Sequence, residues 1–532
     1  MAIVLAGAIL VPIAAVVSNV FFHGGAAWAH LVDTVLPGYL LNTAALLIGV
    51  AYGVISIGVL SAWLVTAYRF PGHRLLEWAL ILPLAVPAYV MAYAYTDWLQ
   101  FSGPVQTMLR ELTGWRAREY WFPEIRSLGG AMAVLSFALY PYVYLLARAS
   151  FLDQSRASSE SARLLGYGAW GAFFKVALPL ARPGIAAGTA LALMEALADF
   201  GAVSYFSVQT FTTGIYRAWL SLGDAVAAGQ LASCLLAFVA MVLLIERVSR
   251  GKARYHNVTV RERAPPQRLR GFPAFAAFCA CFAPLLFGFV LPVGILSKLA
   301  WEDGGVFGTR LLTLVGNTFT LAGTTAVIAI VAATMMAYAG RVCRSTLVAG
   351  ANRTAGLGYA IPGAVIAVGI LIPLGRLDNM LADWLYAQFG VKTGLLFTGT
   401  VAALLYAYLV RFLAIALQTV EAGLVRITPS MDDAARSLGL GPGATLARVH
   451  APMLWGSLLS AALLVFVDVM KELPATFAMR PFNFDTLAVE VYNLTKDERL
   501  GEAAVPSLII VAIGLVPLIV LSRQMSGRSR SG

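Results

Sequence analysis

Charged residues are scarce in this chain. Asp, Glu, Lys and Arg together form only 12% of the 532 residues, while 59% are hydrophobic. A soluble globular protein has about 25% charged and roughly 45–50% apolar residues. Mean hydropathy is +0.78, and apolar runs of about 20 residues, long enough for a helix to cross a hydrocarbon core, recur along the chain. The composition excludes an ordinary soluble protein and predicts an all-α integral membrane protein.

Residues that build disulfides, metal sites and nucleotide sites are also few. The chain has four cysteines and five histidines, and none of them has the spacing of a metal-ligand motif. Cys279 and Cys281 point roughly 200° apart on a helix, so they cannot chelate together. No G-x-x-x-x-G-K-[ST] sequence is present to hold a nucleotide phosphate. We therefore expect neither an ATPase motif nor a cofactor on this chain, and we assign no metal site firmly.

The apolar runs predict twelve transmembrane helices, arranged as six plus six. The predicted spans lie near 2–22, 40–67, 77–97, 129–149, 184–206, 228–246, 272–297, 311–339, 356–375, 394–420, 454–475 and 502–521. The first run lacks a charged n-region and a clear cleavage site, so we expect it to be retained as a span.

Positive charges alternate between the loops. The loops after even-numbered spans carry most of the arginines, with a dense run from Arg247 to Arg270. The opposite loops lack basic residues or balance them with acids. By the positive-inside rule, both termini are predicted to be cytoplasmic. The net charge of +11 thus reflects topology, and we expect no nucleic-acid partner.

The second half of the sequence repeats the first. Asn42 and Asn317 are 275 positions apart, as are Pro87 and Pro362, while Phe211 and Phe484 are 273 apart. A six-span unit has been duplicated in the same orientation. The predicted domains are a first transmembrane repeat (1–246), a basic cytoplasmic linker (247–271) and a second transmembrane repeat (272–532).

A polar loop is duplicated within these repeats, with its acid, glycine and proline each shifted by 273 positions. Both copies fall on the predicted cytoplasmic side and share the plan of helix, glycine turn, helix and proline. We predict that they dock a cytosolic partner. The candidate docking residues are Glu160, Ala162, Gly166 and Pro179 in the first copy, and Asp433, Ala434, Ala435, Gly439 and Pro452 in the second.

On these loops the chain resembles the permease subunits of ATP-binding-cassette importers, in which a Glu-Ala-Ala loop followed by Gly and Leu-Pro docks on the ATPase. Ser161, Asp433 and Ala451 depart mildly from that pattern. The resemblance implies the type I importer permease fold in a bacterial inner membrane. It also implies two copies of a cytosolic ATPase, which would hold ATP and Mg, and a periplasmic solute-binding protein.

A narrower resemblance points to a substrate. The segments around Lys471–Thr476 and Arg480–Ala488, with 198–201 and 211–216 in the first half, are similar to those of the fused permeases of ferric iron importers. Related permeases for thiamine, polyamines or phosphonates are also similar. An ion-coupled secondary transporter stays open as a different class.

Ionisable residues within predicted spans are costly and are candidates for function. Glu195 and Asp199 recur as Asp468 and Glu472, each 273 positions later. Both pairs have i, i+4 spacing, which predicts two carboxylates on one helical face. These four acids and Lys471 are candidate pathway residues, because a hard cation prefers oxygen ligands. The alternative is that the acids pair structurally with Lys471 and Arg411.

Overall fold

The structure is a computed structural model of the 532-residue chain. It describes residues 2–21, 26–116, 119–154, 167–250, 267–302, 308–343 and 345–528.

These described residues form a helical protein, as the long apolar runs predict. In the first half the α-helices are α1 (Ala2–Ser18), α2 (Ala26–Thr34), α3 (Leu36–Ala67), α4 (His73–Ala79), α5 (Ala88–Leu99), α6 (Pro104–Thr113), α7 (Leu128–Leu152), α8 (Ala169–Ala172), α9 (Leu178–Ala198), α10 (Gly201–Tyr205), α11 (Phe211–Tyr216) and α12 (Ala225–Arg250). In the second half they are α13 (Phe272–Leu285), α14 (Leu291–Glu302), α15 (Thr309–Val342), α16 (Thr346–Gly356), α17 (Gly363–Phe389), α18 (Val401–Leu424), α19 (Pro429–Ser437), α20 (Pro442–Thr445), α21 (Ala451–Met470), α22 (Pro474–Met479), α23 (Leu487–Lys496) and α24 (Leu500–Arg528).

The predicted twelve spans are confirmed with one bend. Eleven helices in the described part of the chain are long and apolar enough to cross a membrane, and a twelfth span arises if His73–Ala85 and Ala88–Thr113 count together. That pair bends by 92° in the region where the sequence predicts a span near 77–97. Pro87 causes the break: it cannot donate a backbone hydrogen bond, and it disfavours helical backbone at Val86, which is extended.

Wide helical turns precede the repeated prolines. The chain forms π-helix at Phe173–Ala177 and at Leu446–His450, directly before α9 and α21. Pro179 and Pro452 occupy the second position of those helices, where the ring of each would clash with the carbonyl four residues back. That carbonyl belongs to the π-turn in both copies, so widening the turn relieves the clash.

The described helices group into two compact units that cut across the sequence repeats. One unit comprises Met1–Val35, Phe211–Leu236 and Val306–Asp497, and the other comprises Leu36–Thr210, Ala237–Gly305 and Glu498–Gly532. Each unit therefore contains the middle spans of one repeat and outer spans of the other. The repeats 1–246 and 272–532 describe duplication of the sequence, so their boundaries differ from those of the compact units and stay a prediction.

A short strand pair lies within the second of these units. Strand β1 (Tyr68–Arg69) pairs in parallel with β2 (Gln267–Arg268), with Tyr68 opposite Gln267. This pairing attaches the end of the predicted linker to the end of α3.

Small residues allow the main helix crossings within each unit. Gly188 of α9 lies against the backbone of Tyr142 and Val143 in α7. Gly184 lies against Ser150, and at the equivalent positions of the second repeat, 273 residues later, Ser457 lies against Gly423. The glycine and the serine have exchanged helices between the two repeats, so the combined side-chain volume at the crossing is the same. Close packing of this kind holds helices together where lipid supplies no hydrophobic driving force.

Gly58 provides a test of this packing. A methyl group at Gly58 of α3 would lie 2.8 Å from Cβ of Val143 and 3.0 Å from the Tyr140 carbonyl oxygen. Gly58→Ala should lower stability by about 1–3 kcal/mol through overpacking. The change is measured as the thermal unfolding temperature of the purified protein in detergent. Gly38→Ala, in the same helix, is the matched control, because a methyl group there would have no atom within 4 Å apart from the neighbouring backbone of α3 itself. Equal unfolding temperatures for the two variants would contradict the packing argument.

Candidate functional site: docking loops and intramembrane carboxylates

The first docking loop falls mostly outside the described residues. Glu160, Ala162 and Gly166 belong to 155–166, for which no structure is described. Pro179 is described and stands at the start of α9. The geometry of a docking loop is therefore taken from the second copy.

The second loop contains a short helix that ends in a glycine turn. Thr428 precedes Pro429 at the start of α19, and Pro fits this first helical position because its missing N–H would have had no helical partner. Gly439 follows the helix with φ of +77°, a left-handed conformation that side chains disfavour. The chain then turns into α20, the π-turn and α21 at Pro452. The acid, glycine and proline thus mark a helix, its termination and the start of the next span.

One face of α19 is exposed and the other is packed. Asp433 forms an exposed ion pair with Arg436, 3.0 Å between Oδ1 and Nη2. Ala434 is exposed, Ala435 is buried, and Leu438 is 81% exposed. An exposed leucine beside an exposed ion pair gives this face both apolar and polar groups for a partner surface.

Asp432, one residue before the predicted acid, has the stronger contacts. Its carboxylate accepts from Arg341 Nε at 2.8 Å and lies 2.6 Å from Nε2 of His450. Desolvation alone would raise the pKa of Asp432, but the hydrogen bonds and charges of Arg341 and His450 outweigh it and lower the pKa below its ordinary value. Asp432 is therefore ionised at neutral pH. An ionised carboxylate only accepts, so His450 donates from Nε2.

Each docking loop also has a polar tie on the helix that leads into it. Glu77 of α4 pairs with Arg148 of α7, and Asn352 of α16 donates to Glu421 of α18 at 3.0 Å. Arg148 and Glu421 are 273 positions apart. The connection is duplicated, although its charges differ between the repeats.

Asp199 lies at a helix break. The preceding helix, α9, ends at Ala198, and Asp199 has extended backbone with ψ of 130°. Its Oδ1 accepts from the backbone N–H of Val203 at 3.0 Å. Val203 lies in α10, so Asp199 caps the helix that resumes the chain direction.

Glu472 has the equivalent place in the other repeat. It accepts from the backbone N–H groups of Ala475 and Thr476 at 2.9 and 3.0 Å. These residues stand 273 positions after Ala202 and Val203. Glu472 also pairs with Arg411 at 3.2 Å, and both side chains are buried. The carboxylate thus accepts from two backbone N–H groups, from the Thr476 hydroxyl at 2.7 Å and from one guanidinium.

The predicted single helical face is wrong for both acid pairs. Asp199 follows the end of α9, and Glu472 follows α21, which ends at Met470. The i, i+4 argument requires continuous helix through both acids. The side chains instead bind nearby backbone N–H groups, which competes with helix propagation.

The remaining acids, Glu195 and Asp468, stay within their helices and are half-buried. Lys471 Nζ lies 2.8 Å from Asp468 Oδ1. No group of three or more His, Cys, Asp or Glu side chains that could hold a metal occurs among the residues the structure describes. Glu195 and Asp468 thus lie within α9 and α21, and Asp199 and Glu472 lie just after the ends of those helices.

Sequence reasoning missed Arg341, Asp432 and His450. Asp432 precedes Asp433 directly, but the repeat directed attention to Asp433 because only that position aligns with Glu160. Arg341 stands 91 residues before Asp432. Only the folded chain brings them together, so no local pattern could have paired them.

The sequence is similar to those of several known transport proteins. Residues 54–250 match the family model described as binding-protein-dependent transport system inner membrane component. The Fe(3+)-transport system permease protein FbpB 2 of Haemophilus influenzae is 26% identical over 495 residues, covering 91% of this chain and 89% of the relative. The molybdenum transport system permease protein ModB of Escherichia coli K12 is 31% identical over 206 residues, covering 37% of this chain and 87% of the relative.

A third relative, the sulfate transport system permease protein CysT of Escherichia coli K12, is 30% identical over 203 residues, which cover 37% of this chain and 70% of the relative. These matches confirm the importer-permease resemblance and the type I permease fold. The chain belongs to the inner membrane components of binding-protein-dependent transport systems, multi-pass permease subunits of ATP-binding-cassette importers that work with an ATPase and a periplasmic binding protein.

Proposed function

We propose that this permease imports ferric iron. The observation that carries the proposal is similarity over 91% of the chain to a permease named for Fe(3+) transport. The carboxylates at the ends and faces of α9 and α21 support it, because a hard trivalent cation prefers oxygen ligands. Iron is cargo in this proposal, received from the periplasmic binding protein and released to the cytoplasm.

Each docking loop receives one copy of the ATPase, so the complex contains two. Both termini and both loops are cytoplasmic, as the arginine distribution favours. The chain binds no cofactor of its own, and ATP with Mg resides on the ATPase subunits. Closure of the ATPases moves the loops, and the spans attached to them alternate between outward and inward access.

Uptake of labelled iron tests the substrate. The complex of this chain with its ATPase and binding protein is reconstituted in proteoliposomes, and accumulation of labelled ferric iron is measured with and without ATP. We expect ATP-dependent accumulation that excess unlabelled ferric iron abolishes and that thiamine, spermidine, a phosphonate, molybdate or sulfate leaves unchanged. ATP-dependent import of one of those competitors in place of iron would contradict the iron assignment. Import by the chain alone would establish an ion-coupled transporter.

The glycine turn tests the docking role. Gly439→Val places a β-branched residue at φ of +77° and should distort the turn after α19. Gly441→Val is the matched control, because Gly441 has φ of −72° and extended backbone that valine adopts readily. Neither position has an atom within 4 Å of an added methyl carbon. We expect Gly439→Val to uncouple ATP hydrolysis from uptake, measured as ATP consumed per iron imported. Equal coupling in both variants would contradict the role.

The four carboxylates fall into two groups with different expected outcomes. We propose that Glu195 and Asp468 act on the translocation path, with Lys471 adjusting the charge of Asp468. Asp199 and Glu472 act there by shaping the helix breaks that border the path. The division is supported by the position of Glu195 and Asp468 inside α9 and α21, and by the helix-capping contacts of Asp199 and Glu472.

Neutral amide substitutions separate the two groups. Glu195→Gln and Asp468→Asn should reduce iron uptake while the purified complex keeps its thermal stability. Glu472→Gln should lower stability by about 3–5 kcal/mol, because it leaves the buried Arg411 charge without its carboxylate. Uptake and thermal unfolding are measured on the same preparations. Unchanged uptake in the Glu195 and Asp468 variants would remove those acids from the path.

A further inference from the structure

Charged side chains hold the docking helix of the second repeat, α19, against its neighbours. In the second repeat, Arg341 at the end of α15 contacts the docking helix and the helix before it. Its Nε donates to Asp432, Nη1 donates to the Leu424 carbonyl at 2.9 Å, and Nη2 donates to the Ile427 carbonyl at 2.9 Å. One guanidinium thus joins the end of α15, the last turn of α18 and the first turn of α19.

His450 extends this connection to the following span. It is completely buried in the π-turn before α21 and donates to the same Asp432 carboxylate. The Tyr338 ring of α15 packs edge-on against the His450 ring, and the Tyr338 hydroxyl donates to the Pro442 carbonyl at 2.8 Å. We call Arg341, Asp432 and His450 the ionic clamp. It links the docking helix to three spans, α15, α18 and α21.

The first repeat lacks every ionisable member of the clamp. At the matching offsets of 275 and 273, Arg341 corresponds to Thr66, Asp432 to Ser159 and His450 to Ala177. The Thr66 hydroxyl donates within its own helix, to the Ala62 carbonyl at 2.8 Å. No charge is therefore available at these three positions to reproduce the clamp.

Aromatic rings occupy the corresponding joint of the first repeat. Trp63 corresponds to Tyr338, and its ring lies 5.3 Å from Phe151 and 5.0 Å from Phe173 between centroids. Across this joint the Gln154 side chain donates to the Ala177 carbonyl at 2.8 Å. Apolar ring packing has no fixed donor and acceptor directions, whereas a guanidinium fork fixes the orientation of its partners.

We infer that Arg341 and its clamp partners are positioning residues for the second docking helix, and that the first docking loop, with Thr66, Ser159 and Ala177 at the equivalent positions, is positioned without this clamp. This inference rests on the proposed docking role of the loops. The clamped helix transmits displacement to three spans with a fixed orientation. The aromatic joint of the first repeat tolerates sliding of its rings.

The test measures coupling with Arg341→Gln, which removes the guanidinium, and Thr66→Val at the equivalent position as the matched control. The complex with ATPase and binding protein is reconstituted in proteoliposomes. We measure ATP hydrolysed per iron imported and hydrolysis without binding protein. Arg341→Gln should raise ATP per iron about tenfold, the factor expected from losing a charge-assisted hydrogen bond. Thr66→Val should match wild type.

Two further variants separate positioning from stability. Asp432→Asn removes the charge at the centre of the clamp with little change in volume, and Arg341→Lys keeps the charge but lacks the planar fork. We expect Asp432→Asn to raise ATP per iron and Arg341→Lys to restore part of the coupling. A structural role alone would lower the unfolding temperature and the yield of complex but leave ATP per iron unchanged in the complexes that assemble.

The outcomes distinguish this inference from the proposed function. Wild-type chain that neither binds the ATPase nor imports iron overturns the proposed function. Wild-type import together with unchanged ATP per iron in Asp432→Asn and in Arg341→Gln overturns the clamp alone. If Arg341→Gln fails to assemble, the Asp432→Asn ratio decides the result. An equal rise in Thr66→Val would also overturn the inference, since the two joints would then be equivalent.

Discussion

Satisfying the backbone where a membrane helix breaks is the constraint on which this structure depends. Hydrocarbon offers no hydrogen-bond partner to an N–H group that a break exposes. In both repeats the helix breaks at equivalent positions, and a carboxylate accepts from the N–H groups that follow: Asp199 from Val203, and Glu472 from Ala475 and Thr476. The acids make the breaks possible, and the breaks give the helices their change of direction.

Prolines and glycines fix further changes of chain direction next to the repeated polar loops. Pro179 and Pro452 widen the preceding helical turns to π-helix, and Gly439 ends the docking helix with left-handed backbone. Each device alters direction at a fixed point in a long helix. In the proposed docking role, displacement of α19 would reach particular spans through these fixed points.

Duplication preserved these joints while their chemistry diverged. Backbone geometry is repeated closely, as the π-turns and the capped breaks demonstrate. The side chains around them differ between the repeats. Arg148 of the first repeat corresponds to Glu421 of the second, and the pair Gly184 and Ser150 corresponds to Ser457 and Gly423. A fused chain permits such divergence, because both repeats belong to one polypeptide and each can therefore carry its own side chains.

The sequence by itself determined the class of protein, the twelve spans, the duplication and the two polar loops, because hydropathy, spacing and motif residues are local properties. It located the four carboxylates but wrongly joined them on continuous helices. Tertiary structure decided that Asp199 and Glu472 cap new helices, that Glu472 pairs with Arg411, and that Arg341 and His450 meet at Asp432. Those partners are distant in sequence or depend on where a helix ends. Such contacts follow from how helices pack, which no local pattern of residues records.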